Sequence, residues 1–196
     1  MKVSKAQAQA NRAHIVEVAS ALFREKGYDG VGVADLMAHA GFTHGGFYKH
    51  FGSKADLMAE AAACGFAQSL AAAGDGGLDA FLGHYLSRAH RDNPAVGCTM
   101  AALSTDAARQ PDAVRAVFAE GIERQVSAPM PDADASAAVA EGRSRAQRIA
   151  LIAQAVGAIV LSRACPDDSP LADEILEACR HAVLADESAR AAVFQG

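Results

Sequence analysis

With 196 residues, 51% of them apolar and 21% charged, and no low-complexity tract, the chain has material for one large domain or two small ones and is too apolar to be disordered between its ends. The net charge of −5 is unevenly spread: residues 1 to 54 carry +3, from seven Lys or Arg against four acids, and four histidines besides, while the remainder carries −8. A basic head on an acidic body points to a nucleic-acid contact in the first quarter of the chain.

The opening MKVSKAQAQANRAH has positive charge but no apolar run behind it, so neither a signal peptide nor a membrane anchor is expected, and the expected compartment is the cytoplasm. The longest apolar run, IALIAQAVGAIVL from Ile149 to Leu161, contains Gln154 and at thirteen residues is too short to span a bilayer. Cys64, Cys98, Cys165 and Cys179 lie far apart with no C-x-x-C pair and no histidine at ligand spacing, which argues for reduced thiols, no metal and no cofactor.

Apolar residues recur at three and four, almost never at two, so the chain reads as all-α. Ile15, Val18, Ala19, Leu22 and Phe23 form the stripe of a first helix, which Gly27 ends. A second, from about Val33 to Ala40, buries Leu36 and Met37 and stops at Gly41. Ser53 caps a helix running to about Ala73 that buries Leu57, Ala61, Cys64 and Phe66 and exits through a Gly-Asp-Gly-Gly linker at 74 to 77. Further helices are expected at about 78–91, 95–108, 112–127, 144–164 and 170–186, divided by Pro94, Pro111, PMPDADA at 129–135 and CPDDSP at 165–170, since proline cannot continue a helix interior. The last two have more apolar surface than one small bundle needs, and an intermolecular helix pair would absorb it. There Ala153, Gly157 and Ala158 offer small surfaces for close approach, and Ile152, Val156 and Ile159 offer area.

The stretch FTHGGFYKHF, 42 to 51, places two glycines at the start of what reads as a short helix. With Thr43 as N-cap, its hydroxyl can accept from the N–H of Gly45 or Gly46, and Phe42 and Phe47 fall at the positions of a hydrophobic staple. At about 100° per residue, Phe47 and Phe51 point inward together. The opposite face then carries Gly45, Gly46 and Lys49, with His44 and Tyr48 on one edge and Thr43 and His50 on the other. Such a face is almost bare backbone with one lysine, suited to insertion in a DNA groove.

Two short helices joined by a glycine turn, with a longer one before them, make a helix-turn-helix arrangement. The run GVGVADLMAHAGFTHGGFYKHFGSKADLMAEA, Gly30 to Ala61, resembles the DNA-binding head of the TetR family of repressors, above all in AGFTHGGFYKHFGSKADL. The resemblance implies an N-terminal three-helix head, 1–54, on a larger helical bundle, 55–196, that binds a small-molecule effector and dimerises through its last two helices. It further implies a double-stranded DNA operator, palindromic for a dimer, that is repressed until the effector releases it. By the same resemblance Thr43, His44, Gly45, Gly46, Tyr48, Lys49 and His50 belong to the recognition helix or its cap, Tyr48 contacts phosphate, and Lys54 is the phosphate-binding lysine of the next helix. One departure stands out: where the family often has threonine or serine at the start of the second helix, the chain reads Gly32 and Val33, which omits a hydroxyl contact to phosphate.

In the body the candidate pocket linings are Phe66, Phe81, Tyr85, Cys98, Met100, Leu103, Phe118 and Ile122, with plain core packing as the competing role for each. Asp79, Arg88, Arg91, Arg109 and Arg115 are the candidates for holding a polar ligand group. An enzymatic reading would rest on Cys98 with His84 and His90, but the six-residue spacing puts the histidines on different faces of one helix and no oxyanion-type glycine turn accompanies the cysteine. A third reading, in which Cys98 senses oxidants or electrophiles, requires a lowered thiol pKa and solvent access.

Overall fold

The computed structural model describes residues 4–71, 77–128 and 143–193, and among them every regular element is a helix. The segment PMPDADA lies outside the described residues, as does the Gly-Asp-Gly-Gly linker apart from its last residue, Gly77, which opens a helix. The chain forms two compact units: Met1–Leu70 with Pro94–Ile122, and Ala71–Asn93 with Glu123–Gly196.

In the first unit, α1 (Lys5–Lys26) begins at Ser4, whose hydroxyl accepts from the Gln7 N–H at 3.1 Å. Ile15, Ala19, Leu22 and Phe23 are buried and Val18 is half-buried, so the stripe lies where its spacing put it. Gly27 stops the helix at φ 73, ψ 168, a region essentially closed to other residues. Helix α2 (Val33–His39) buries Leu36 and Met37 and ends in a Schellman motif: Phe42 N–H donates to the Met37 carbonyl at 2.8 Å and Gly41 N–H to that of Ala38 at 3.0 Å. Gly41, at φ 79, supplies the left-handed residue this motif needs.

The segment after that turn, His44–Lys49, is a 3-10 helix, where an α-helix was expected. Two adjacent glycines weaken α-helix formation, and the tighter winding suits so short a piece. The expected cap is absent: the Thr43 hydroxyl makes no cap bond, and i→i+3 bonding gives the Gly46 N–H, one of the two expected donors, to the Thr43 carbonyl at 2.9 Å. Helix α3 (Lys54–Ala71) is capped as expected, Ser53 Oγ accepting from Asp56 N–H at 3.1 Å. It buries Leu57, Ala61 and Phe66 and leaves Cys64 half-buried.

The same unit contains a 3-10 turn (Pro94–Val96), α6 (Thr99–Ala107) and the first part of α7 (Asp112–Ser127), so the helix expected from 95 starts four residues later. Buried Arg24 on α1 donates to the Ala95 carbonyl from two nitrogens, at 2.9 and 2.6 Å, and to Ser20 Oγ at 2.8 Å. At the other end of α6, the Asp106 carboxylate accepts the Tyr28 N–H at 2.9 Å.

The second unit has α4 (Gly77–Tyr85), α5 (Arg88–Asp92), the end of α7, α8 (Arg145–Ala164) and α9 (Pro170–Val193). One helix was expected at 78–91, but it breaks after Tyr85, where Ser87 adopts an extended backbone and caps a new helix through the His90 N–H at 3.2 Å. Helix α8 opens with a capping box between Ser144 and Gln147, and Pro170 takes the first position of α9, where its missing N–H costs nothing. The buried Arg91 guanidinium ties the unit together: it donates to the Ser162 and Cys165 carbonyls and to Ser162 Oγ, and pairs with Asp92 and Asp167. No helix among the described residues is long and apolar enough to cross a membrane.

Candidate DNA-reading face

Phe47 and Phe51 are 1% and 3% exposed, with ring centroids 5.5 Å apart, and their burial stabilises the head by roughly 1.5–3 kcal/mol each. The opposite side is open. Thr43, His44, Gly45 and Lys49 are exposed, Gly46 and His50 are half-exposed, and Tyr48 stands 68% exposed with its ring edge-on to Phe47 at 5.2 Å. The four-residue spacing of the two phenylalanines therefore predicted the inward side correctly although the winding is 3-10.

The backbone does not require either glycine of this face. Only Gly27 and Gly41 have positive φ among the described residues. A Cβ on Gly45 would meet nothing within 4 Å, and one on Gly46 would lie 3.6 Å from the Met37 methyl and 3.8 Å from Thr43 Oγ1, ordinary contact distances.

Lys54 lies at the start of α3, half-exposed, with Nζ donating to the Tyr28 carbonyl at 2.5 Å and 5.9 Å from the centre of the Phe23 ring. The Tyr28 peptide is thus held at both ends, its N–H by Asp106 and its carbonyl by Lys54. A residue that the sequence reading passed over is Arg12, whose side chain reaches the His50 carbonyl, Glu60 and the Phe51 ring. Its contacts span 38 and 48 positions, and a lone arginine on a helix has no local signal that separates it from a solvated charge.

The candidate pocket residues fall in both units. Phe66, Cys98, Met100, Leu103 and Phe118 are buried in the first, with Phe66 and Phe118 packed edge to face at 5.3 Å, while Ile122 is 38% exposed. Phe81 and Tyr85 belong to the second, stacked at 5.5 Å. Cys98 lies in a different unit from His84 and His90 and is buried, without the solvent access that a sensing thiol requires. The break after Tyr85 brings the two histidine rings to 6.3 Å, so they do not diverge as one continuous helix would have placed them. Burial holds His90 below the ordinary histidine pKa, and its Nδ1 lies 2.7 Å from the Tyr85 carbonyl.

All five candidate polar ligand contacts are engaged within the chain: Asp79 with Arg180, Arg88 with Asp173, Arg91 in the network above, Arg109 with Asp106 and Arg115 with Asp112. Among the described residues there is no group of three or more His, Cys, Asp or Glu that could hold a metal ion.

Among the described residues the N-terminal helices place a glycine turn before an outward-facing, lysine-bearing segment, which is the arrangement of a helix-turn-helix DNA reader. Residues 15–61 match the model of the tetR family of bacterial regulatory proteins. The chain is 29% identical over 188 residues to an HTH-type transcriptional regulator of Mycobacterium tuberculosis, covering 91% of this chain and 96% of that one. It is 39% identical over 57 residues to the HTH-type transcriptional regulator AcrR of Shigella flexneri, covering 29% and 26%. Its fold matches the crystal structure of a TetR-family transcriptional regulator from Agrobacterium tumefaciens with a TM-score of 0.68 at 20% identity, over 91% of this chain and 98% of the other. Residues 15–61 are thus a DNA-binding head of the TetR type, and over most of its length the chain is similar to regulators that carry such a head.

Proposed function

We propose that the chain is a ligand-responsive repressor that binds a palindromic operator as a homodimer in the cytosol, with residues 1–54 as the DNA-binding domain and 55–196 as the effector-binding and dimerisation domain. The observation that carries the reading is the two-sided segment His44–Phe51: Phe47 and Phe51 locked inward, and glycine backbone, Tyr48 and Lys49 turned out. Thr43, His44, Gly45, Gly46, Tyr48, Lys49 and His50 would meet the major groove and its flanking phosphates, and Lys54 a phosphate, exchanging the Tyr28 carbonyl for it.

Dimerisation is supported by apolar surface that one copy leaves uncovered. On α8, Ile149, Ala153, Gly157 and Leu161 form one row at four-residue spacing; Ile149 and Leu161 are 46% and 59% exposed, and the space over Gly157 is empty. Leu171 on α9 is 51% exposed, with Ala178 and Ala182 also exposed on that helix. The row revises the residues expected to face the partner: Ala158 and Ile159 are buried within the chain itself, while Ala153 and Gly157 are free for a second copy. An effector that favours a body arrangement in which the two heads no longer match successive grooves would release the DNA by population shift.

Selection of bound duplexes from a random pool is the direct test. An enriched palindrome supports a dimeric reader and supplies the operator. Failure to enrich any sequence would remove the reading.

A further inference from the structure

The reading segment has few means of fixing its own direction. It is six residues of 3-10 helix, with glycine at two of them, and its hydrogen bonds are the poorly aligned i→i+3 kind. The Schellman turn sets its entry, and Phe47 and Phe51 fix which side faces in. At its far end stands His50, whose carbonyl is met by a side chain from α1: Arg12 Nε donates to it at 3.2 Å. The two terminal nitrogens of the same guanidinium grip both carboxylate oxygens of Glu60 on α3, and its carbon lies 4.7 Å over the Phe51 ring. One planar group thus joins α1, the end of the reading segment and α3. Lysine, with a single rotatable ammonium, cannot make this set of contacts together.

The pairing also decides what Arg12 does not do. Its charge is taken up by Glu60 in a two-bond fork, so it is not offered to a phosphate. We propose that Arg12 is a positioning residue for DNA reading: it sets the angle at which His44–His50 is presented to the groove, with Glu60 holding it in place. This rests on the DNA-reading role proposed above. Because phosphate contacts give general affinity and base contacts give discrimination, the loss of Arg12 should appear as lost discrimination.

The experiment uses the full chain, the operator selected with it, and an unrelated duplex. Arg12→Lys keeps the charge and removes the fork. It should lower the ratio of operator to unrelated-duplex affinity tenfold or more, leave the salt slope on unrelated DNA unchanged, and speed amide exchange at His50 and Phe51 but not in α2. Glu60→Gln should free the guanidinium for phosphate, lowering the same ratio while steepening the salt slope on unrelated DNA by about one unit. An unchanged ratio with unchanged exchange in Arg12→Lys overturns the assignment, as does exchange that rises evenly through the head while the ratio stays put. If the unaltered chain selects no sequence, the regulator reading fails; the exchange measurement, made without DNA, still reports whether Arg12 holds the segment.

Discussion

The turns that end α1 and α2 and the exposed helical surfaces at Gly45 and Gly157 all carry glycine, but only the turns need it for folding. At Gly27 the backbone stands at φ 73, and an added Cβ would fall 2.7 Å from Asp106 Oδ2; at Gly41 the Schellman turn takes φ 79. At Gly45 and Gly157 the backbone is helical, a Cβ would meet nothing within 4 Å, and alanine would favour the helix by up to about 1 kcal/mol. A residue whose cost the chain's own packing does not explain points to something outside the chain. For Gly45 that would be a DNA groove and for Gly157 a second copy.

The difference between the two kinds of glycine is largest at Gly27. Gly27→Ala should cost roughly 2–3 kcal/mol, since it imposes a Cβ on a backbone region closed to it and pushes on the carboxylate that holds the Tyr28 N–H. Thermal melting would show it, and an unchanged melting temperature would mean that the turn re-forms at negative φ. Gly157→Leu should do the reverse, leaving the single chain as stable or more so while overpacking the α8 row in a dimer. A penalty of about 1–3 kcal/mol corresponds to a rise of roughly 5- to 150-fold in the dimer dissociation constant. Sedimentation over a concentration series reads this, and an unaltered constant would place the dimer contact elsewhere. Gly45→Leu should leave the melting temperature unchanged or raised and lower operator affinity about tenfold, or roughly 1.4 kcal/mol. Full operator affinity in this variant would take Gly45 off the groove.

How far the sequence carried depended on the kind of signal. Helix ends marked by glycine were legible because a left-handed residue has few substitutes, as at Gly27 and Gly41. The inward side of the reading segment was legible because Phe47 and Phe51 are four apart and joined by an α-type bond, the Phe51 N–H donating to the Phe47 carbonyl at 3.0 Å just where the 3-10 winding ends. Its 3-10 form was not, since the choice turns on a small difference in propensity across two glycines. The break after Tyr85 carries neither proline nor glycine, and Ser87 looks like any helix-interior serine until its backbone turns extended. On α8, apolar residues lie nearly all round the helix, so period alone could not tell the buried Ala158 and Ile159 from the uncovered row at Ile149, Ala153, Gly157 and Leu161. The pairing of Arg88, Arg91 and Asp79 with distant partners was also hidden, because charge patterning registers neighbours along a helix and not contacts across the fold.

The smallest effect is expected at Lys54, which reaches the turn at Gly27 from the start of α3. Tyr28 directly follows Gly27, and its carbonyl holds the ammonium of Lys54 at 2.5 Å, so the residue assigned to phosphate is parked on the very turn that glycine makes possible. Moving that ammonium to a phosphate exchanges a hydrogen bond to a neutral carbonyl for an ion pair with an anion and leaves the rest of the head in place. Lys54→Ala should therefore weaken operator and unrelated duplex by the same factor and flatten the salt dependence by roughly one unit of slope, the signature of one lost phosphate contact. The melting temperature should fall only slightly, because a half-exposed hydrogen bond contributes about 1 kcal/mol or less. A titration in which operator binding drops and unrelated binding does not would make Lys54 part of sequence discrimination. It would then act as Arg12 does, through the geometry of the head, with the Tyr28 carbonyl as its functional partner.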